Sequence, residues 1–239
     1  MNVKGYKENE VTLLRATENP KELLELASNI TMKQAFKTAG ADNLEKRIKY
    51  LLDANHTSPF EHIGYTFLIE GASRSFLAQI SRHRMASYTS GSQHYQDYRD
   101  YGFKIADEWV GNEVVAEAIN HSMDAYKALI AQGIPQQEAR QVLPNGMENN
   151  LMMTANARSL VNFFNLRLCY RNTDEIQDVA EKMYVKCNEH LPELFKYIGP
   201  DCYRGDFSPE SQRAGPSSAG IKCKQGKMCC GKPWEPRIE

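Results

Sequence analysis

The sequence predicts a mixed α/β fold, and two observations carry that reading. Short runs are rich in β-branched and aromatic residues, and several longer segments repeat apolar residues at helical spacing. The first β-like run is Val11-Thr12-Leu13-Leu14. Asn19-Pro20 then opens a helix expected over 21–30, because proline is tolerated in a first turn, where its missing amide would have no partner. A second helix is expected over 43–54, where Leu44, Ile48 and Leu51 or Leu52 recur with charges between them. Residues 63–69 read as a strand following Pro59. From Arg74 the pattern turns helical: Phe76, Leu77 and Ile80 form a stripe that runs into Arg82-His83-Arg84. That helix is expected to fail near Thr89-Ser90-Gly91 and to leave a polar loop up to Tyr95. Further helices are expected over 113–131, 135–142, 150–167 and 173–197. Beyond Gly199-Pro200 the composition shifts to Gly, Pro, Ser and Lys, so the expected organisation is one folded domain over 1–200 and an irregular, Cys-containing tail over 201–239. No internal repeat is present.

A chain of 239 residues, 41% hydrophobic and 25% charged, can bury a full core. Its formal net charge of -1 supplies no broad positive field for a nucleic-acid polymer, so any anion must be met locally. The N-terminal residues lack the apolar core of a signal, and no run approaches the roughly 20 apolar residues of a membrane span. A cytoplasmic location is therefore expected. The cysteines are Cys169, Cys187, Cys202, Cys223, Cys229 and Cys230. In a reducing compartment they favour free thiols or a metal over disulfides.

Three segments carry residues suited to binding chemistry. Arg82-His83-Arg84, directly before a Ser/Gly-rich loop, suits a phosphate or diphosphate through charge-assisted hydrogen bonds, and suits equally a solvated helix end, where positive charge complements the dipole. On the helix expected to end at Arg167, Leu160, Phe163, Phe164 and Arg167 share one face, so a guanidinium lies on an apolar stripe and needs a carboxylate or a bound anion as partner. Asn156, Arg158 and Asn162 add donors to the same helix. His56 and His62 bracket Pro59 and Glu61, but their spacing lacks the i, i+4 pairing of a helical zinc site, and no metal is assigned there. Glycine-rich phosphate loops are absent, so phosphates must be held by side chains.

These segments together resemble the flavin-dependent thymidylate synthases. That family is marked by R-H-R, seven residues, then S; here Arg82-His83-Arg84 is followed by seven residues and Ser92. The match is joined by an H-x-x-P-F-E-H segment from His56 to His62, by Arg140 before Val142-Leu143-Pro144, and by Asn156-Ala157-Arg158-Ser159 with Asn162 to Arg167. The resemblance covers about residues 9–198.

It implies an α/β fold with a central sheet flanked by long helices, assembled as a homotetramer whose active sites are shared between subunits. By this resemblance FAD is held by Ser58, Glu61, Arg82, His83, Arg84, Asn156, Arg158 and Asn162, with His56 near the flavin ring. The nucleotide is met by Gln79, by Ser90, Gly91, Ser92, Gln93 and His94 of the loop, by Arg140 and by Arg167, which lies against the pyrimidine and favours ionisation of its ring nitrogen. The implied reaction makes dTMP from dUMP with methylene-tetrahydrofolate as carbon donor and NADPH as reductant. It uses no cysteine nucleophile, and Cys169 reads as a packing residue.

Two departures stand out. The family loop places a glutamate where Ser90 stands and an arginine where His94 stands. Either the site still takes dUMP, with Arg140 and Gln93 compensating, or the loop is retuned for UMP or dCMP; a family fold that binds ligands without turnover is the non-enzyme alternative. The tail thiols Cys202, Cys223, Cys229 and Cys230 also admit a structural zinc, although adjacent cysteines do not readily point at one metal.

Overall fold

The computed structural model describes residues 2–31, 43–203, 223 and 229–236. Most of the tail beyond residue 203 therefore lies outside the described residues. By its internal contacts the chain divides into two compact units, one of Met1–Thr12, Leu68–Arg82 and Tyr88–Met153, the other of Leu13–Phe67, His83–Ser87 and Thr154–Glu239. The mixed α/β class expected from the sequence is what is found.

Six strands are present among the described residues: β1 (Val3–Gly5), β2 (Glu10–Ala16), β3 (Gly64–Ser73), β4 (Ala86–Ser90), β5 (Phe103–Ile105) and β6 (Glu148–Asn156). β1 and β5 pair in parallel, with Val3 opposite Phe103, and the other four form a sheet in the order β2, β3, β6, β4. The α-helices are α1 (Pro20–Thr31), α2 (Leu44–Asp53), α3 (Arg74–Ile80), α4 (Glu113–Ala131), α5 (Gln136–Ala139), α6 (Ala157–Arg167), α7 (Asp174–His190) and α8 (Pro192–Phe195).

In the first unit, α4 starts where Asn112 Oδ1 accepts the amides of Val114 and Val115 at 3.0 and 3.3 Å, satisfying donors that no helical carbonyl can reach. Its Ile119, Met123 and Tyr126 fall at i, i+4 and i+7 and pack with Tyr98, Phe103 and Met147. Lys104 is buried on β5 and donates its ammonium to Gly5 O at 3.2 Å. α3 is capped by Ser73, a buried residue whose Oγ accepts the Phe76 amide at 2.9 Å.

In the second unit, α6 packs against α7 and against a 3₁₀ turn at Ser58–His62. Leu160, Phe163 and Phe164 are fully buried, and Phe164 meets Tyr184 and Phe195 edge-on at 5.6 and 5.9 Å. Edge-to-face contacts let large rings fill a core without stacking their like-charged faces.

Several elements differ from the sequence expectation. The helix beginning at Arg74 stops at Ile80, so Arg82-His83-Arg84 lie in a turn instead of a helix, and residues 86–90 form β4. The Tyr88 hydroxyl donates to Ile80 O at 2.9 Å and fastens the new strand to the end of α3. Residues 150–156 belong to β6: Asn149, Leu151, Met153 and Ala155 are buried while Asn150, Met152 and Thr154 are exposed, a period of two that no helix satisfies. The helix expected over 173–197 breaks after His190, because Pro192 has no amide to continue it. β3 also runs to Ser73, four residues beyond the expected end.

Replacing Ser73 by Ala removes the α3 cap at a cost of about 1 kcal/mol. The thermal midpoint, followed by circular dichroism, is expected to fall by about 2–4 °C.

Candidate active site

The strongest local arrangement in the second unit surrounds Arg167. As the last residue of α6 it follows Leu160, Phe163 and Phe164 on the buried face, so its guanidinium is half-buried, and burial lowers its pKa. The fork is held at two points. Nε donates to His83 Nε2 at 2.9 Å, and Nη1 donates to Asn172 Oδ1 at 3.0 Å. Among the described residues Nη2 has no acceptor.

His83 accepts at Nε2, so its ring is neutral and its proton sits on Nδ1. Burial, then the charge of Arg167, pushes its pKa down to about 4. The ring is further braced edge-on by Phe163, centroid to centroid 4.9 Å. Asn172 is equally committed: its Nδ2 donates to Leu166 O, Arg167 O and Cys169 O at 2.8, 3.3 and 2.8 Å. One amide thus covers the open carbonyls at the end of α6 and turns its oxygen toward the guanidinium. Asn172 was missed by the sequence reading. The available signal was a side-chain amide just past a helix end.

Of the other flavin candidates, Asn156 and Arg158 sit at the opposite end of α6, and Ser58 and Glu61 on the turn beside it. Asn156 caps α6 through Oδ1, which accepts the Ser159 amide at 2.9 Å. Arg158, exposed, pairs with the exposed Glu61. Such a solvent-facing pair is worth little by itself and opens readily to a ligand. In the turn at Ser58–His62, Pro59 and Phe60 are buried while Ser58, Glu61 and His62 face outward. The Ala157 amide donates to Ile63 O at 2.7 Å, tying the start of α6 to this turn. Asn162, Arg84 and His56 are exposed.

Two concavities flank the turn. One, of about 370 Å³, is mainly apolar and lined by Leu23, Leu26, Ala27 and Ile30 of α1 with Ser58, Pro59 and His62. The other, about 560 Å³, includes Arg15, Glu18, Glu61, His62, Thr66 and Thr154. An apolar slot beside exposed arginines and hydroxyls is a donor set that fits a flat aromatic ring joined to phosphates.

In the first unit the loop after β4 is built as a tight turn. Ser92 Oγ accepts the His94 amide at 3.2 Å, and Ser92 O accepts the Gln96 amide at 3.1 Å. Gly91 is anchored on both sides: its amide donates to Asn150 O at 3.1 Å and its carbonyl accepts from Arg74 Nη1 at 3.4 Å. A Cβ there would come within 2.5 Å of Asn149 Oδ1, so any larger residue requires that buried side chain to shift. Gln93 is half-buried, whereas Ser90, His94 and Arg140 are exposed; Gln79 is half-buried on α3, and Arg82, just past that helix, is exposed. Arg74 was also missed by the sequence reading, since its contact is with a carbonyl 17 residues away.

The structure thus groups His83 with Arg167, Glu61 with Arg158, and Gly91 with Ser92 and His94, each within one unit. Among the described residues no three His, Cys, Asp or Glu are placed to hold a metal ion, either at His56 and His62 or among the described tail thiols.

The family model for the thymidylate synthase complementing protein matches residues 12–193. The flavin-dependent thymidylate synthase of Geobacter sulfurreducens is 32% identical over 240 residues, covering 94% of this chain and 95% of that one. The enzyme of the same name from Sulfolobus acidocaldarius is 41% identical over 165 residues, 67% of this chain and 64% of the other. Among solved structures, a UMP/dUMP methylase PolB from Streptomyces cacaoi bound with 5-Br dUMP superposes with a TM-score of 0.72 at 22% identity, over 82% of this chain and 96% of that chain. The chain belongs to the flavin-dependent thymidylate synthase family. It is accordingly a flavin-dependent methyltransferase.

Two outcomes follow from the geometry. By NMR, His83 is expected to titrate near pH 4, and Arg167→Gln is expected to raise that midpoint by removing the charge, though not to the ordinary 6.5, since burial is the larger cause. The depressed pKa also means that the unfolded chain binds the extra proton first. His83 therefore contributes stability that is present above about pH 6.5 and is lost as the pH falls toward 4, which acid-unfolding midpoints of wild type and His83→Gln will compare. Separately, Gly91→Ala is expected to displace the loop and raise the nucleotide KM, about tenfold for a disturbance of about 1.4 kcal/mol, with FAD affinity unchanged.

Proposed function

We propose that the chain converts dUMP to dTMP, taking the carbon from methylene-tetrahydrofolate and the reducing equivalents from NADPH through FAD, as a homotetramer. The observation that carries this reading is Arg167: a half-buried guanidinium whose Nε and Nη1 are fixed by a neutral histidine and an amide, while Nη2 has no acceptor among the described residues. Neither His83 nor Asn172 carries a negative charge. The cation is therefore positioned without being neutralised, and the electron-rich group that completes it is the ligand.

In this reading each residue has a definite task. Arg167 directs its charge at the pyrimidine and favours loss of the ring-nitrogen proton, which raises electron density at the carbon to be methylated. His83 keeps the guanidinium in plane. Ser58, Glu61, Arg82, Arg84, Asn156, Arg158 and Asn162 bind FAD, with the exposed arginines at its phosphates and His56 beside the ring. FAD, when bound and reduced, supplies the hydride that completes the methyl group. Gln79, Ser92, Gln93, His94 and Arg140 orient the nucleotide, and Ser90 and Gly91 shape the loop around it. Ser92 Oγ already accepts the His94 amide and has no described base beside it, so it serves in binding and not as a nucleophile.

A second substrate is favoured by one observation. Ser90 and His94 are exposed on the loop, and a serine in place of the family's glutamate leaves room and removes a charge. UMP, with its additional hydroxyl, is the nucleotide this change would admit.

The test is an anaerobic assay with FAD, NADPH and methylene-tetrahydrofolate, offering dUMP, UMP and dCMP separately and identifying products by mass. Methylated dUMP is expected; methylated UMP at a higher kcat/KM would make the loop a specificity switch, and no product with FAD bound would overturn the enzymatic reading. Arg167→Gln is expected to lower kcat/KM about 10- to 100-fold, the loss of one charged hydrogen bond.

A further inference from the structure

Trp234 lies far along the chain, in the segment whose composition is that of a tail, yet its side chain is built into the core of the second unit. Its ring is 1% exposed and meets Tyr184 and Tyr203 edge-on at 5.4 and 5.0 Å, while Nε1 donates to Glu181 Oε1 at 3.2 Å. The same carboxylate oxygen accepts from Gln177 Nε2 at 3.2 Å, so a buried acid is satisfied by the tail and by its own helix. Both tyrosines are themselves fixed. The Tyr184 hydroxyl donates to Phe195 O and the Tyr203 hydroxyl to Lys196 O, each at 2.9 Å. Gly199 leaves the indole the room it needs, since a Cβ there would lie 2.8 Å from Trp234 Cζ3. The result is a seat shaped for an indole, with an acceptor placed for its one N–H.

That seat is one end of a continuous row of rings. Tyr184, on α7, meets Phe164 of α6 edge-on at 5.6 Å; Phe164 meets Phe163 at 5.6 Å; and Phe163 braces the His83 ring at 4.9 Å. His83 Nε2 in turn accepts Arg167 Nε at 2.9 Å. Tyr184, Phe163 and Phe164 are all buried, and close-packed rings pass a displacement on instead of absorbing it. Phe164 and Arg167 are also three residues apart on one helix, so a tilt of α6 at the first moves the second.

We propose that Trp234 is a positioning residue for the methyl transfer: seated between Tyr184 and Tyr203, it holds Phe164 and Phe163 where they fix His83 and, through it, Arg167. This role rests on the reading of Arg167 given above. Loss of the indole leaves Tyr184 unsupported along one edge, and the neighbours fill the resulting cavity only in part, so α6 settles toward it and Phe163 loosens against His83. The guanidinium then loses angular precision, which lowers kcat. The nucleotide loop is carried by the first unit, so KM changes less than kcat. His83, whose pKa is held down to about 4 by burial first, gains solvent and titrates higher.

The experiment compares the full wild-type chain with Trp234→Ala, at a temperature where circular dichroism shows both folded. The His83 midpoint, followed by NMR, is expected to rise from about 4 toward 6.5. In the anaerobic assay with dUMP, kcat is expected to fall about tenfold and KM to change by no more than about twofold; a misplacement of about 1 Å costs roughly a hundredfold. Indole added to Trp234→Ala refills the seat and is expected to return the midpoint and kcat toward their wild-type values. Ser73→Ala, which lowers stability in the first unit, is expected to leave the midpoint at about 4, separating positioning from stability. If Trp234→Ala does not fold, Trp234→Leu, which fills the seat without ring edges or an N–H, is expected to show the same changes in lesser degree. A folded variant with an unmoved midpoint and wild-type kcat would overturn the positioning role, as would losses that indole leaves unchanged. A midpoint that moves while the wild type itself yields no product would overturn the reaction assigned to Arg167 and leave the contact with His83 standing.

Discussion

The end of α6 depends on one constraint: a guanidinium on an apolar helix face must be held without being neutralised. Arg167 follows Leu160, Phe163 and Phe164, all fully buried, so its position on the inward stripe is decided by helix periodicity and not by any charge nearby. A carboxylate partner would satisfy it and end its usefulness. A neutral imidazole and an amide fix its direction while leaving its charge intact. The requirement passes outward from there. His83 stays neutral because it is half-buried beside a cation, and Asn172 points correctly because its amide nitrogen is anchored on two α6-terminal carbonyls and that of Cys169.

The same economy governs the start of α6. Asn156 serves as the cap and is also a flavin candidate, so its side chain is fixed before any ligand arrives. Arg158, two residues on, is only loosely engaged by Glu61 at the surface. The helix therefore offers a rigid donor set at its C-terminal end and adjustable ones at its N-terminal end. That division suits a reacting ring, which needs angular precision, and a diphosphate, which charge alone can hold.

Much of this was legible in the sequence because it rests on periodicity and on local chemistry. The burial of Leu160, Phe163 and Phe164 and the inward placement of Arg167 follow from the i, i+3, i+4, i+7 spacing, and α4 follows from its own stripe. What was misread came from tertiary pairing. Residues 86–90 lie after a good helical stripe, and only the Tyr88 hydroxyl on Ile80 O and the neighbouring β6 make them a strand. In 150–156 the alternation was present, yet the helical pattern downstream was extended back over it; the cap at Asn156 was the sign of the true boundary. Arg74 was invisible for another reason: its partner is a backbone carbonyl, which every residue possesses and no pattern marks, while Asn172 was marked only by its place just past a helix end.

The loop of Ser90 to His94 shows how a binding segment tolerates sequence change. Its shape rests on Gly91, fixed by Asn150 O, by Arg74 and by the closeness of Asn149, and on the turn that Ser92 makes over His94. None of these contacts uses the side chains of Ser90 or His94. Those two positions are thus free to vary in charge and size while the backbone that presents them stays in place. The loop can consequently differ from its family at both positions and keep its backbone frame. In the proposed reading, the choice of nucleotide falls to the exposed side chains and its activation to Arg167.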